Sequence, residues 1–164
     1  RTCEQLIEDY HSEFGLNYTI LRFGSLYGPR ADESNAVYQM IKQALETNSM
    51  AYKGTGDEIR EYIHASDGAA AAVEMLESQF KNQIIHLTGH ERMTTRNMME
   101  MIAEILGNNI TINVNAGIMT GHYFQTPYSY TPKLGRKLIR NSYIDIGLGL
   151  LDLIEHHDQE NSND

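Results

Sequence analysis

The sequence predicts an α/β fold, and three observations carry the prediction. Short segments rich in β-branched and aromatic residues alternate with stretches of helical periodicity along the 164 residues. One segment, residues 18–23 (Tyr-Thr-Ile-Leu-Arg-Phe), is apolar nearly throughout, as a strand covered on both faces requires. Gly and Ser/Thr residues punctuate the changes from one period to the other.

Residues 2–14 carry Cys3, Leu6, Ile7, Tyr10 and Phe14 at helical spacing, with Gly15 as the stop, so a helix with these side chains packed is expected. Residues 18–23 follow as a buried strand, then residues 24–29 as a loop at its carboxyl end. Ser34 is the expected cap of a helix to Thr47, with Val37, Ile41, Ala44 and Leu45 inward. Residues 50–53 read as a short strand and Gly54-Thr55-Gly56-Asp57 as a turn. Residues 59–64 alternate, with Ile59, Glu61 and Ile63 on one face and Arg60, Tyr62 and His64 on the other. Ser66 or Asp67 then caps a helix whose four alanines, 69–72, permit close packing. Residues 83–87 form a strand. Thr94 or Thr95 caps a helix to Leu106, closed by Gly107. Residues 110–114 alternate as a strand, 115–131 read as a loop, and short helices are expected at 132–139 and 146–157 ahead of a frayed polar tail. Only one strand is apolar throughout, so the remainder of a parallel sheet is expected outside this chain.

Composition narrows the function classes. Hydrophobic residues make up 41% and the formal net charge is -9, with no dense basic cluster, which argues against nucleic acid as a partner. No apolar run is long enough for a membrane span. Nothing at the start reads as a signal peptide, and a chain opening on Arg1 without Met is expected to have its true N-terminus upstream. A single cysteine, Cys3, excludes an internal disulfide and a cysteine-based zinc site, and fits a cytoplasmic protein. The seven histidines form no convincing ligand set, so no metal is expected. Gly54–Gly56 is not a dinucleotide fingerprint, because no six-residue glycine pattern opens a helix after a strand. Ser25 lacks the Gly-x-Ser-x-Gly elbow of a hydrolase.

Four stretches at consistent spacing resemble one family. Glu4 and Leu6 match positions that follow a Tyr-x-x-x-Lys helix. Leu21-Arg22-Phe23-Gly24-Ser25-Leu26-Tyr27-Gly28-Pro29 matches a strand ending in Arg and leading to a Tyr-Gly-Pro turn. Gly54-Thr55-Gly56 through Arg60 to Asp67 matches a glycine turn, an Arg and an aromatic strand. His86-Leu87-Thr88-Gly89 matches an apolar strand ahead of a capped helix. Together, over roughly residues 1–110, they resemble the extended short-chain dehydrogenase/reductase family, NAD-dependent nucleotide-sugar epimerases and dehydratases of the UDP-glucose 4-epimerase type.

The resemblance implies the C-terminal portion of a Rossmann-like protein with its small substrate-binding α/β domain, the Gly-rich amino-terminal half being absent. Residues 1–34 would end the Rossmann-like core, and 35–164 would form mainly the substrate-binding region, interleaved with returning core elements. The catalytic Tyr-x-x-x-Lys pair would end just before Arg1, so no catalytic residue is expected here. NAD (or NADP) would bind the full-length protein, with its site largely outside this chain. The substrate would be a nucleotide sugar, a UDP-sugar foremost, and a homodimer is compatible with the helix at 2–14.

By the same resemblance, Arg60 contacts the diphosphate, for which a guanidinium fork is chemically suited. The competing reading is a surface ion pair with Glu58 or Glu61. Ser25 stands where many members have a substrate-contacting Asn, and equally suits the loop backbone. Asn35 and Val37 fall in the segment lining the nucleotide pocket, although Asn35 also suits a helix N-terminus. Tyr52 is placed to stack on the base. Phe23 and Gly24 fall where the backbone passes the nicotinamide, with core packing the alternative for Phe23. Arg22, at a buried strand end, calls for a structural ion pair. Tyr27 and His64 read as packing and Asp67 as a helix cap. Two other functions stay open: a non-catalytic relative using the same pocket for a nucleotide or partner, and a reductase or decarboxylase of the family.

Overall fold

A computed structural model describes residues 2–107, 109–115 and 135–161. The elements run α1 (Thr2–Phe14), β1 (Thr19–Phe23), β2 (Ser25–Tyr27), α2 (Ala36–Thr47), β3 (Ser49–Lys53), β4 (Ile59–His64), α3 (Ala65–Glu74), a 3-10 turn (Ser78–Phe80), β5 (Gln83–Leu87), β6 (Glu91–Thr94), α4 (Thr95–Ile105), β7 (Thr111–Asn115), β8 (Arg136–Lys137) and α5 (Ile146–Asn161). The α/β class expected from the sequence is the class observed.

Three small sheets have the orders β1-β5-β8, β2-β4-β6 and β3-β7. All the pairs are parallel except β4 with β6. Parallel neighbours need long crossovers, and here α2, α3 and α4 lie within those connections. The larger apolar cluster joins Met40, Ile41 and Ala44 of α2, Met98, Met99 and Ile102 of α4, and Leu150 and Leu153 of α5. A second cluster holds Ile63, Ala71, Met75, Phe80, Ile85 and Leu87.

Several local expectations are corrected. The segment 24–29 is not wholly loop, because Ser25–Tyr27 pairs with Tyr62–His64 as β2. Polar Glu91–Thr94, unforeseen, is an antiparallel strand on the edge of the β4 sheet, where one exposed side tolerates charge. Within the expected helix at 132–139, Arg136 and Lys137 instead extend the β5 sheet, and 132–134 lie outside the described residues. The loop expected over 115–131 begins with Asn115 inside β7; its remainder lies outside the described residues. Residues 158–161, read as a frayed tail, continue α5, while 162–164 lie outside the described residues.

The caps differ too. Asn35, not Ser34, caps α2, because the Ser34 amide and hydroxyl both donate to Asp32. His64, not Ser66 or Asp67, caps α3 through Nδ1. Asp67 instead accepts from the Ile144 amide at 2.8 Å and faces Arg140 at 3.8 Å. Thr94 caps α4, as its spacing indicated.

Cys3 is exposed, contrary to the packed role expected of it. Helix α1 leaves Leu6, Tyr10 and Phe14 exposed as well. It is fastened through the polar pair Arg22–Glu4, whose two hydrogen bonds are both 2.7 Å. The guanidinium satisfies the need created by placing Arg22 at a half-buried strand end, and it holds the Glu4 carboxyl below the usual carboxylate range.

Glycines just past the ends of β1 and β5, Gly24 after Phe23 and Gly89 two residues after Leu87, lie against β4. A Cβ on Gly24 would stand 2.5 Å from the Glu61 carbonyl oxygen, and one on Gly89 would stand 2.0 Å from that of Tyr62. Gly89 also has φ +75, a region costly for other residues. Gly89→Ala therefore adds backbone strain to a clash with backbone. We expect it to cost about 3 kcal/mol or more and to lower Tm by roughly 10 °C in a thermal melt.

Candidate functional site

A cleft of about 240 Å³ opens beside the β2–β4 pair. Arg60 and Tyr62 line it from β4, Ser25 and Leu26 from β2, Asn35 to Val37 from the start of α2, Tyr52 from β3, and Thr95 from the start of α4. A second cavity of about 430 Å³ shares Ser34, Ala36, Met40 and Tyr52 with it and continues along Gln39, Gln43, Lys53 and Asn115. Tyr52 stands where the two meet.

The fold delivers these side chains for local reasons. Alternation on β4 puts Arg60 and Tyr62 on one face. Parallel register sets Ser25 opposite Tyr62. Asn35 has two jobs: its Oδ1 accepts from the Val37 and Tyr38 amides, and its Nδ2 donates to the Leu26 carbonyl at 2.7 Å. The amino-terminal end of α2, positive by its peptide dipoles, is thereby pinned to β2 at the cleft. Val37 is fully packed behind it.

Arg60 is half-buried, and its Nη1 donates to the Ile59 carbonyl at 2.9 Å. It has no ion pair among the described residues. Both carboxylates considered for it are engaged elsewhere. Glu58 accepts from the Thr55 and Gly56 amides at 2.8 and 2.9 Å, and Glu61 pairs with Lys137 at 3.2 Å. A guanidinium with no carboxylate partner among the described residues, in a cleft that a helix N-terminus also lines, is chemically suited to an anion.

The turn 54–57 is shaped from within. Burial alone would raise the Glu58 carboxyl, but the amide hydrogen bonds carry it below its ordinary value. The Tyr52 ring lies where a Cβ on Gly54 would come within 2.5 Å of it, so glycine makes room for the aromatic ring. Burial raises the Tyr52 phenol, and pushes that of Tyr62 up to about 12. Both are neutral hydroxyls at pH 7.

Arg60, Ser25, Asn35, Val37 and Tyr52 thus come together in one cleft. Phe23 and Gly24 do not line it. Phe23 packs against the second apolar cluster, and Gly24 lies at the backbone crossing with β4, its amide donating to the Leu87 carbonyl at 2.9 Å. Sequence reasoning missed Thr95 and Tyr62 as lining residues. For Tyr62 the signal existed, since it shares the face of Arg60; Thr95 carries none beyond its place at a helix start. Among the described residues no cluster of His, Cys, Asp or Glu could hold a metal ion, and no helix is long and apolar enough to cross a membrane.

The profile of the NAD dependent epimerase/dehydratase family matches residues 1–111, which contain Arg60, the cleft and both glycine crossings. This chain belongs to that family. Among curated relatives of the epimerase/dehydratase chain, the uncharacterized UDP-glucose epimerase YtcB of Bacillus subtilis (strain 168) is 28% identical over 113 residues, covering 68% of this chain and 36% of that protein. UDP-glucuronic acid decarboxylase 3 of Arabidopsis thaliana is 26% identical over 116 residues, covering 70% of this chain and 34% of that protein. Among solved structures, the UDP-N-acetylglucosamine 4-epimerase of Methanobrevibacter ruminantium M1 superposes with a TM-score of 0.81 at 20% identity, over 97% of this chain and 52% of that one. A mutant of the UDP-glucuronic acid 4-epimerase of Bacillus cereus, in complex with UDP-4-deoxy-4-fluoro-glucuronic acid and NAD, gives 0.79 at 24% identity, over 96% and 50%. The chain therefore spans about a third of the length of these curated relatives and about half of these solved ones.

Glu58 gives the site a pH dependence of definite sign. Its folded pKa lies below the ordinary glutamate value, so its stabilisation is complete above that ordinary value and is lost as pH falls through the folded pKa. Glu58→Gln should lower Tm at pH 7 and flatten the loss of Tm on acidification. Melting both proteins between about pH 3 and pH 7 checks this.

Proposed function

We propose that this chain is the nucleotide-sugar-binding part of an NAD-dependent epimerase/dehydratase, with Arg60 as the anchor for the diphosphate. The single observation behind this reading is an arginine without an ion pair among the described residues, set beside the α2 N-terminus in a cleft that also holds an aromatic ring. The diphosphate lies between Arg60 and α2. The base lies against Tyr52 and reaches into the second cavity, while the sugar lies toward Ser25. UDP-sugars are the favoured class, because the relatives named above carry UDP-sugar names.

The chemistry of the whole protein belongs to residues outside this chain, a Tyr-x-x-x-Lys pair upstream of Arg1, in a cytoplasmic protein. Residues 1–34 end the nucleotide-cofactor core and the remainder builds mainly the substrate side. One candidate cradle for the pyrophosphate of NAD, the glycine turn, is closed to it. The Gly54–Gly56 turn joins two strands, and the amides of Thr55 and Gly56 are already taken by Glu58. No hydride step is assigned to this chain, which binds ligand without turning it over.

Calorimetric titration with UDP, UDP-glucose and NAD, repeated with Arg60→Ala, tests the reading. Nucleotide and nucleotide sugar should bind and NAD should not. Loss of a charge-assisted bidentate contact should weaken UDP binding by roughly 10–100-fold. Unchanged affinity in the variant, or no binding at millimolar UDP, would contradict it.

Self-association rests on a different observation. Leu6 is 56% exposed, Tyr10 51% and Phe14 69%, all on α1. A row of this kind favours pairing with a second copy. Light scattering should give twice the chain mass, and Tyr10→Glu should return it to the monomer value.

A further inference from the structure

The diphosphate reading gives the turn 54–57 no part in binding, yet its two glycines are there for different reasons. Gly56 has φ +83, a conformation that other residues adopt only at a cost. Gly54 has no such need, because its φ lies outside the left-handed region. It is buried all the same, and its amide donates to the Asn115 carbonyl of β7 at 3.0 Å. The space that a side chain at 54 would take is occupied from two sides. A Cβ there would stand 2.5 Å from Cε1 and 3.1 Å from Cζ of the Tyr52 ring, and 2.6 Å from Oε1 of Glu58.

These two neighbours differ in how readily they yield. The Glu58 carboxylate is buried, and both its oxygens are fastened to the turn, Oε1 by the Thr55 amide at 2.8 Å and Oε2 by the Gly56 amide at 2.9 Å. The Tyr52 ring is half-buried and has open space on both sides, since it lines the cleft and the second cavity alike. A methyl group at residue 54 would therefore move the ring and leave the carboxylate where it is. Conversely, the bare backbone of Gly54 and the fixed carboxylate form a seat that sets where the ring stands.

We propose that Gly54 is a positioning residue of the base subsite. It acts through Tyr52: the seat holds the ring at the junction of the two cavities, so that its face meets the base of the bound nucleotide without prior rearrangement. The proposal rests on the nucleotide-sugar reading given above. It separates the base end of the ligand, governed by shape at Gly54, from the diphosphate end, governed by charge at Arg60.

Calorimetric titration of the whole chain with UDP and with inorganic pyrophosphate tests it, through the ratio of the two affinities, because pyrophosphate has no base. Gly54→Ala should lower that ratio about 5–10-fold, with pyrophosphate affinity itself changed less than about twofold. Tyr52→Leu should lower it by a similar factor. Adding Gly54→Ala to Tyr52→Leu should cost less than about twofold further, because a side chain without a ring yields to the methyl group. If a thermal melt shows that Gly54→Ala does not fold, Glu58→Gln takes its place. An amide nitrogen cannot accept, so one of the two bonds that fix the seat is lost, and the ratio should fall at least about threefold. Additive losses in the double variant, an equal loss on pyrophosphate, or an unchanged ratio would overturn the proposal. If the unmodified chain binds UDP and the ratio does not move, only this proposal falls. If the unmodified chain binds no UDP, the nucleotide reading falls and carries this one with it.

Discussion

The close approach of two strand ends to the backbone of β4 is the constraint on which the remaining geometry depends. At Gly24 and Gly89 no side chain fits between the β1–β5 sheet and the β2–β4 sheet, so the two lie nearly in backbone contact. That contact fixes where β2 begins, with Gly24 alone between it and the end of β1. It therefore fixes where Ser25 stands and which face of β4 remains for α2 and α5. Shifting either strand by a side chain's width would carry Arg60 away from the start of α2. Glycine here is a spacer of minimum thickness, and positive φ at Gly89 is the backbone's accommodation to it.

Once that crossing is set, the carboxylates nearest Arg60 are engaged by other groups. Glu58 is taken by the amides of its own turn, Glu61 by Lys137, and Glu4 by Arg22. Asp67 supports the segment around Ile144. In a chain of formal net charge -9, Arg60 has no ion pair among the described residues, and its guanidinium donates to the Ile59 carbonyl. The nearby phenols, raised by burial, add hydroxyl donors without adding charge.

Most helices and buried strands were legible, because their signals are periodic and local. The apolar run at 18–23 and the cap Thr94 are examples. The cleft was legible through the resemblance, which drew Arg60, Ser25, Asn35, Val37 and Tyr52 from separate stretches of chain. The misses share a physical cause. Residues 25–27 and 91–94 become strands only because β4 lies beside them, and three or four residues carry too little periodicity to reveal a partner distant in sequence. Asn35 outcompeted Ser34 as a cap because Asp32 engages the serine hydroxyl. Cys3 was read as packed from the general habit of cysteine, while the face of α1 on which it sits has no cover among the described residues.

The carboxylate folded into the 54–57 turn bears on crowded surroundings. A ring of amide hydrogens open to solvent would attract any small oxyanion, and the inorganic phosphate of a cell is abundant. Here the turn brings its own anion, so its Thr55 and Gly56 amides are closed to such competitors. On the nucleotide-sugar reading, a small ion would meet Arg60 alone, whereas a ligand that touches Arg60, passes Tyr52 and enters the cavity beyond would gain at each step, so the cleft would measure its occupants by length.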